Sequence, residues 1–231
     1  MLVEINNLIK YYDKVIALDT LSYTASTGKI IGLLGPNGSG KTTLIKILAG
    51  VLKQSDGEVK IDGHNIGYDT KKIVSYLPER SYFNQRYTVS ECIELFKDFY
   101  DDFDEQKALQ MLAVLDVGVN RKLNTLSKGM KEKVQLALVM SRNAKLFLLD
   151  EPIGGVDVST RDFIINYILK NFNREATVII STHLIADIEG VLDDFVLLNR
   201  GRVISAGSVK DLKEKTGKTL DGYVREVFRC F

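Results

Sequence analysis

The densest chemistry in the chain lies in consecutive residues, Gly35-Pro36-Asn37-Gly38-Ser39-Gly40-Lys41-Thr42, followed by Thr43. They fit G-x-x-x-x-G-K-[ST], the pattern of a phosphate-binding P-loop. The apolar run Ile30-Ile31-Gly32-Leu33-Leu34 precedes them and reads as a buried strand. Thr42-Thr43-Leu44-Ile45-Lys46-Ile47-Leu48-Ala49 follows with helical spacing. Strand, Gly-rich loop and helix form the context in which this motif works. Gly35, Gly38 and Gly40 let the backbone turn sharply and bring its N–H groups close to an anion. The helix behind them opens with unpaired N–H groups and a positive dipole end. Lys41 adds a full charge for β- and γ-phosphates, and the Thr42 hydroxyl can ligate Mg²⁺. The loop therefore predicts a nucleoside triphosphate with Mg²⁺.

A P-loop alone names no reaction. Leu146-Phe147-Leu148-Leu149-Asp150-Glu151 is an apolar strand ending in two carboxylates. A strand-terminal aspartate is what Mg²⁺ needs as a partner in P-loop enzymes. A glutamate directly after it can polarise a water for in-line attack on the γ-phosphate. Asp150 and Thr42 are thus metal candidates, and Glu151 is the candidate base.

Length and charge bound the elements that must position these groups. A chain of 231 residues suits one large domain or a core plus a subdomain. A net charge of +1 gives no electrostatic case for nucleic acid or an anionic membrane as a direct partner. Cys92 and Cys230 form no Cys-x-x-Cys pair and read as two reduced thiols. Two histidines are too few for a histidine-rich metal site. Met1-Leu2-Val3-Glu4-Ile5 does not read as a signal peptide. No apolar run approaches the ~20 residues of a membrane helix. If the protein works at a membrane, another chain must supply the span.

Leu2 to Ile5, Ala17 to Thr24, Ile30 to Leu34, Gly57 to Ile61 and Ile73 to Leu77 read as strands, with a turn at Asp62-Gly63 and a stop at Pro78. From Thr88 to about Arg142 the pattern is helical. Thr88-Val89-Ser90-Glu91 is a capping box. Leu109, Leu112 and Leu115 keep helical spacing in a second helix, and Ser127 can cap a third. The α/β pattern resumes at Leu146. Phe163, Ile164, Tyr167 and Ile168 mark a helix, Thr177 to Ser181 a strand, and Leu184 to Glu189 a short helix. Asp194 to Asn199 and Val203 to Ala206 form a hairpin, and Ser208 opens another helix. Leu220, Val224, Val227, Phe228 and Phe231 make an amphipathic stripe in the tail, whose plainer reading is packing against its own domain. These elements predict an α/β fold interrupted by an α-helical subdomain.

With these motifs placed, the sequence resembles the ATP-binding cassette family. Leu146 to Asp150 is similar to its second nucleotide motif, and Glu151 stands where the family keeps its catalytic glutamate. Leu126-Ser127-Lys128-Gly129-Met130 lies where the family has its signature. Gly154-Gly155-Val156-Asp157 occupies the D-loop position, and Ser181-Thr182-His183 that of the switch histidine. Tyr12 falls where the family stacks an aromatic ring on adenine, although Tyr11 stands beside it and core packing is the other reading. The matches run from Leu2 to about Gly207.

The resemblance implies a P-loop core on a RecA-like parallel sheet, with an N-terminal antiparallel β-subdomain and an inserted helical subdomain. The division would be 1–87 and 143–231 for the core and 88–142 for the helices, within one ATPase domain. It implies that two chains close head to tail around two ATP molecules, as a homodimer or with a related ATPase. Ser127 and the backbone around Gly129 would reach the nucleotide of the partner chain. His183 would contact the γ-phosphate, and the D-loop residues Gly155, Val156 and Asp157 would lie at the interface.

Two departures stand out. The signature reads Ser-Lys-Gly-Met, a form at home in bacterial exporter ATPases that pair with separate membrane subunits and move peptides, drugs or lipids. In Tyr76-Leu77-Pro78-Glu79 a glutamate replaces the family's usual glutamine, so Glu79 would bring a third carboxylate towards the metal and the attacking water. The next residues, Arg80 to Val89, fall where the family receives a membrane subunit. Their aromatics either face that partner or tuck into the helical subdomain. The resemblance thus implies the ATP-hydrolysing subunit of an exporter, cytoplasmic and peripheral at the inner face of the membrane. A soluble cassette acting on nucleic acid or ribosomes, or a regulatory module that barely turns ATP over, is the alternative. The first rival's relatives carry coiled-coil insertions or two fused cassettes, which this chain lacks.

Overall fold

The computed structural model describes residues 1–154, 161–162, 164–166, 168 and 175–229. Two sheets carry the architecture. The first is antiparallel, with strand order β2-β1-β4-β5, from β1 (Val3–Tyr12), β2 (Val15–Ala25), β4 (Asp56–Ile61) and β5 (His64–Asn65). The second has the order β10-β9-β3-β8-β7-β6, from β3 (Ile30–Leu34), β6 (Val74–Leu77), β7 (Leu146–Asp150), β8 (Thr177–Ser181), β9 (Asp194–Asn199) and β10 (Arg202–Ser208). It is parallel from β9 to β6, and β10 returns antiparallel.

β3, β7 and β8 are buried along their whole length. A parallel sheet covered on both faces needs such uninterrupted apolar runs. The two-residue period divides each strand between two cores. Leu146 and Leu148 pack on one side, with Ile31, Leu33 and helix α1 (Lys41–Leu48) beneath the antiparallel sheet. Phe147 and Leu149 pack on the other, with the remaining helices. These are α3 (Val89–Phe99), α4 (Glu105–Val114) and α5 (Lys128–Met140), between β6 and β7, and the C-terminal α7 (Val209–Thr216) and α8 (Leu220–Arg229). Two further short helices are α2 (Tyr68–Ile73) and α6 (Ile185–Ile188), and the described residues 161–162, 164–166 and 168 are helical, as expected around Ile164 and Ile168.

The predicted caps hold. The Thr88 side chain accepts from the Glu91 amide at 3.1 Å, and the Glu91 carboxylate accepts from the Thr88 amide at 2.6 Å. Ser127 caps α5 by accepting from the Met130 amide at 3.3 Å. Several boundaries moved. β1 runs on to Tyr12 because β2 keeps pairing with it through Tyr12 and Val15. The strand expected from Ile73 starts at Val74, since Ile73 closes α2, which has too few residues to show a periodic signal. The second helix ends at Val114, before Leu115. In the tail, Leu220 and Val224 are buried in the common core and Val227 and Phe228 pack against it, so the stripe faces its own domain. Phe163, Tyr167 and Phe231 lie outside the described residues.

In the parallel part of the sheet all carboxyl ends point to one edge. The P-loop follows β3, Asp150 ends β7, Ser181 ends β8, and Pro78-Glu79 follows β6. Ligands in such sheets bind outside that edge.

Candidate active site

Backbone geometry explains the glycines of the loop. Gly35 has φ +148, and a Cβ there would sit 2.3 Å from the Leu198 carbonyl oxygen. Gly40 has φ +105, and its Cβ would lie 2.7 Å from the Ala17 oxygen. Only glycine fits either place. Gly40 is the N-cap of α1, with no side chain satisfying the first amides. The buried Ser39 hydroxyl also has no partner. These open donors fit a phosphate chain. Lys41 is buried, and its ammonium donates to the Gly35 oxygen at 2.8 Å and the Pro36 oxygen at 3.2 Å. Burial holds its pKa below the ordinary value, against the upward pull of Glu151 and Asp150.

Asp150 is buried at the end of β7. Its Oδ1 accepts from the Ser181 hydroxyl at 2.5 Å and from the Thr42 hydroxyl at 3.2 Å. Its Oδ2 is buried without a partner. Burial pushes this carboxyl up; the two hydroxyls pull it down, and the charges of Glu151 and Glu79 add to the rise. A buried carboxylate oxygen with no donor beside a threonine hydroxyl fits a cation. Among the described residues no group of three or more His, Cys, Asp or Glu forms a metal cage. A Mg²⁺ ion would therefore be held by Thr42 and Asp150 together with phosphate oxygens and water, its usual manner.

Glu151 adopts φ +52, a left-handed conformation that is strained for a residue with a side chain. Its amide donates to the Ser181 carbonyl at 3.0 Å and lies 3.2 Å from the Ser181 hydroxyl. This turn presents the carboxylate to His183, whose Nδ1 lies 3.1 Å from Glu151 Oε2. A candidate base and an orienting imidazole are thus in hydrogen-bond contact.

These groups line a cleft of about 800 Å³, within the range of small-molecule sites. Asn37, Gly38, Gly40, Lys41, Thr42 and Thr43 form one wall, with Ala17 at its edge. Glu79, Glu151, Gly154 and His183 form another. Lys128, of the signature, also faces the cleft, while Leu126, Ser127, Gly129 and Met130 do not line it. Gly35 and Ser39 are buried and Pro36 is exposed, and none of the three lines the cleft. Tyr12 is not on the wall. It is 45% exposed at the end of β1, with the Lys10 ammonium 5.4 Å from its ring centre, so it is not a core residue. Gly155, Val156 and Asp157 lie outside the described residues.

The loop after Glu79 sorts into two sets. Phe83 is buried, with its ring centre 4.6 Å from that of Tyr82 and 6.0 Å from that of Phe96 on α3. Arg80, Tyr82, Arg86 and Tyr87 are exposed. Several wall residues carry no sequence signal of their own. Arg80, Ser81, Lys131 and Glu132 reach the cleft because α5 and the Glu79 loop fold against each other. The Gln135 amide nitrogen donates to the Pro78 oxygen at 3.3 Å, a contact between positions far apart in the chain.

Residues 18–154 match the sequence family described as ABC transporter. The chain belongs to the ABC transporter family. It is an ATP-binding cassette of the ABC ATPase class. An uncharacterised ABC transporter ATP-binding protein of Synechocystis sp. is 35% identical over 207 residues, 86% of this chain and 58% of that protein. The chain therefore spans little more than half of that relative's length. The SkfA peptide export ATP-binding protein SkfE of Bacillus subtilis is 29% identical over 220 residues, 93% of this chain and 92% of that one. A solved ATP-binding subunit of an ABC transporter superimposes with a TM-score of 0.87 at 27% identity, covering 97% of this chain and 99% of the other. A bacterial ABC transporter cassette solved as a dimer gives 0.78 at 25% identity, over 89% and 98%. No helix among the described residues of this cassette is long and apolar enough to cross a membrane.

Proposed function

We propose that this cassette is the ATP-hydrolysing subunit of an ABC exporter that drives a separate integral membrane subunit. The observation that carries the reading is the contact of 3.1 Å between Glu151 and His183 on the wall shared with the P-loop. Lys41 leaves its resting carbonyls for the β- and γ-phosphates, and the P-loop amides from Gly35 to Thr43, with Ser39, cradle the phosphate chain. Tyr12 stacks on the adenine; its ring is exposed at the strand end, with the Lys10 ammonium over one face. Thr42 and Asp150 would hold Mg²⁺, with Glu79 on the same cleft. The ion would neutralise charge on the β- and γ-phosphates. Glu151 takes a proton from the attacking water, and His183 fixes that carboxylate and the γ-phosphate.

The catalytic unit is a pair of chains, head to tail, with Ser127, Lys128 and Gly129 of one facing the nucleotide of the other. The dimeric state of one solved cassette supports the pairing. The exporter role is supported by the Ser-Lys-Gly-Met signature and by the peptide-export relative. The membrane subunit docks at the exposed side of 80–89, through Arg80, Tyr82, Arg86 and Tyr87, and holds the cassette at the inner face of the membrane.

Phosphate release from Mg·ATP, wild type beside Glu151→Gln, tests the reading. Loss of a general base costs roughly 10²–10⁴-fold in rate. A Glu151→Gln protein that keeps wild-type turnover removes the assigned base.

A further inference from the structure

Tyr76 is the one residue of β6 with an unpaired buried polar end. Its hydroxyl is buried and has no hydrogen-bond partner, and the same holds for Asp150 Oδ2. The two share a face of the sheet. β6 and β7 are parallel neighbours in register, Tyr76 beside Leu148 and Leu77 beside Leu149. Val74, Leu146 and Leu148 belong to the core that Tyr76 packs against, while Leu77 and Leu149 belong to the other. Asp150, two residues beyond Leu148, therefore projects on the Tyr76 side. Burial first, then the charges of Asp150 and Glu79, hold the phenol pKa well above its ordinary value.

An unpaired buried donor is costly and does not persist without a state that uses it. Asp150 Oδ1 already takes two hydroxyls. Oδ2 keeps two lone pairs, one for a cation or its water and one for a donor. β6 is fastened to α5 on both sides of Tyr76. The Ser75 hydroxyl donates to the Val139 oxygen at 2.8 Å, and Gln135 holds the Pro78 oxygen. Asp150 ends β7, which is laddered to β6 on one side and β8 on the other, and it is tied to the P-loop helix through Thr42. The place of α5, whose first turn carries the signature, thus bears on Tyr76 through β6.

We propose that Tyr76 is a positioning residue for Asp150. With metal and nucleotide in the cleft, its hydroxyl donates to the free Asp150 oxygen, and so ties the position of the signature helix to the metal site. This rests on the reading of Asp150 as the metal-holding carboxylate. Phenylalanine at position 76 keeps the ring packing and removes only the donor.

The test is the affinity of the whole chain for a non-hydrolysable ATP analogue, by calorimetry, with Mg²⁺ and with EDTA. Wild type, Tyr76→Phe and Asp150→Asn are compared, alongside the melting temperature without nucleotide. Tyr76→Phe is expected to lose roughly tenfold of the Mg²⁺-dependent gain in affinity, the scale of one hydrogen bond to a charged group. Its affinity in EDTA stays at the wild-type value, and its nucleotide-free melting temperature does not fall. A full Mg²⁺ gain in Tyr76→Phe, with Asp150→Asn losing it, overturns the role of Tyr76 and leaves Asp150 in place. A full gain in Asp150→Asn overturns the metal reading itself. Weaker binding of Tyr76→Phe under both conditions, with a lower melting temperature, makes Tyr76 a packing residue and overturns the proposal equally.

Discussion

Glu132 stands on the cleft wall with its Oε2 buried and unpaired, while its Oε1 lies 3.8 Å from the Lys128 ammonium. Burial pushes its carboxyl above the ordinary value of 4.5, against the pull of Lys128. A carboxyl raised in the folded state stabilises most below its ordinary value, and that contribution is lost as pH rises through the folded value. Glu132→Gln removes the charge and keeps the shape. Its melting temperature should exceed wild type by roughly 1–3 °C at pH 8 and match it near pH 4, without nucleotide. Scans at the two pH values check this; a drop at pH 8 that is absent near pH 4 would mean that the carboxylate finds a partner. Single residues also divide by legibility. Lys41, Thr42, Asp150, Glu151 and His183 were readable because the chemistry demands a residue type at a fixed distance from a strand end. Glu132 and Tyr76 were not, since nothing in their neighbours along the chain says which group they face.

At the scale of elements, the contacts that hold the helices between β6 and β7 to the sheet centre on one side chain. Arg142 is buried, and its guanidinium takes Asp102 through Nε at 2.9 Å and Nη2 at 3.2 Å. It also donates to the Val74 and Lys72 oxygens, at 2.6 Å each, and lies 3.9 Å from the Tyr100 ring centre. One group thus joins the turn between α3 and α4 to the start of β6. Arg142→Met leaves Asp102 without its cation and two carbonyls without donors. Removing one partner of a buried pair costs about 3–5 kcal/mol. Urea unfolding checks the loss; a cost below about 1 kcal/mol would show that water replaces the guanidinium. The strands and capped helices were legible, because period and caps are local. Arg142 was not, since its partners lie up to 70 positions away. Helix α2 was missed for the opposite reason, being too short to show a period. In the 80–87 loop the alternation of Arg and aromatic residues left both orientations open. Burial against Phe96 decided that Phe83 faces inward.

At the scale of the molecule, the parallel sheet gathers the P-loop, Asp150, Ser181 and the Glu79 loop at one edge because β3, β8, β7 and β6 are neighbours with a common direction. Sequence alone placed each motif at a strand end. The strand order that brings them together is a long-range property, and it entered through the family resemblance rather than through any local pattern. The same resemblance supplied the head-to-tail pairing and the expectation that residues 155–157, outside the described set, lie at the interface. In the proposed pairing one chain does not make a complete site. Specific ATPase activity, measured as phosphate release with saturating Mg·ATP across a range of protein concentrations, reports on this. Activity per chain should rise with concentration and level off, with Glu151→Gln forming an ATP-bound dimer of twice the chain mass by ultracentrifugation. Activity per chain that stays constant down to the lowest concentration, from a species of single-chain mass, would contradict it.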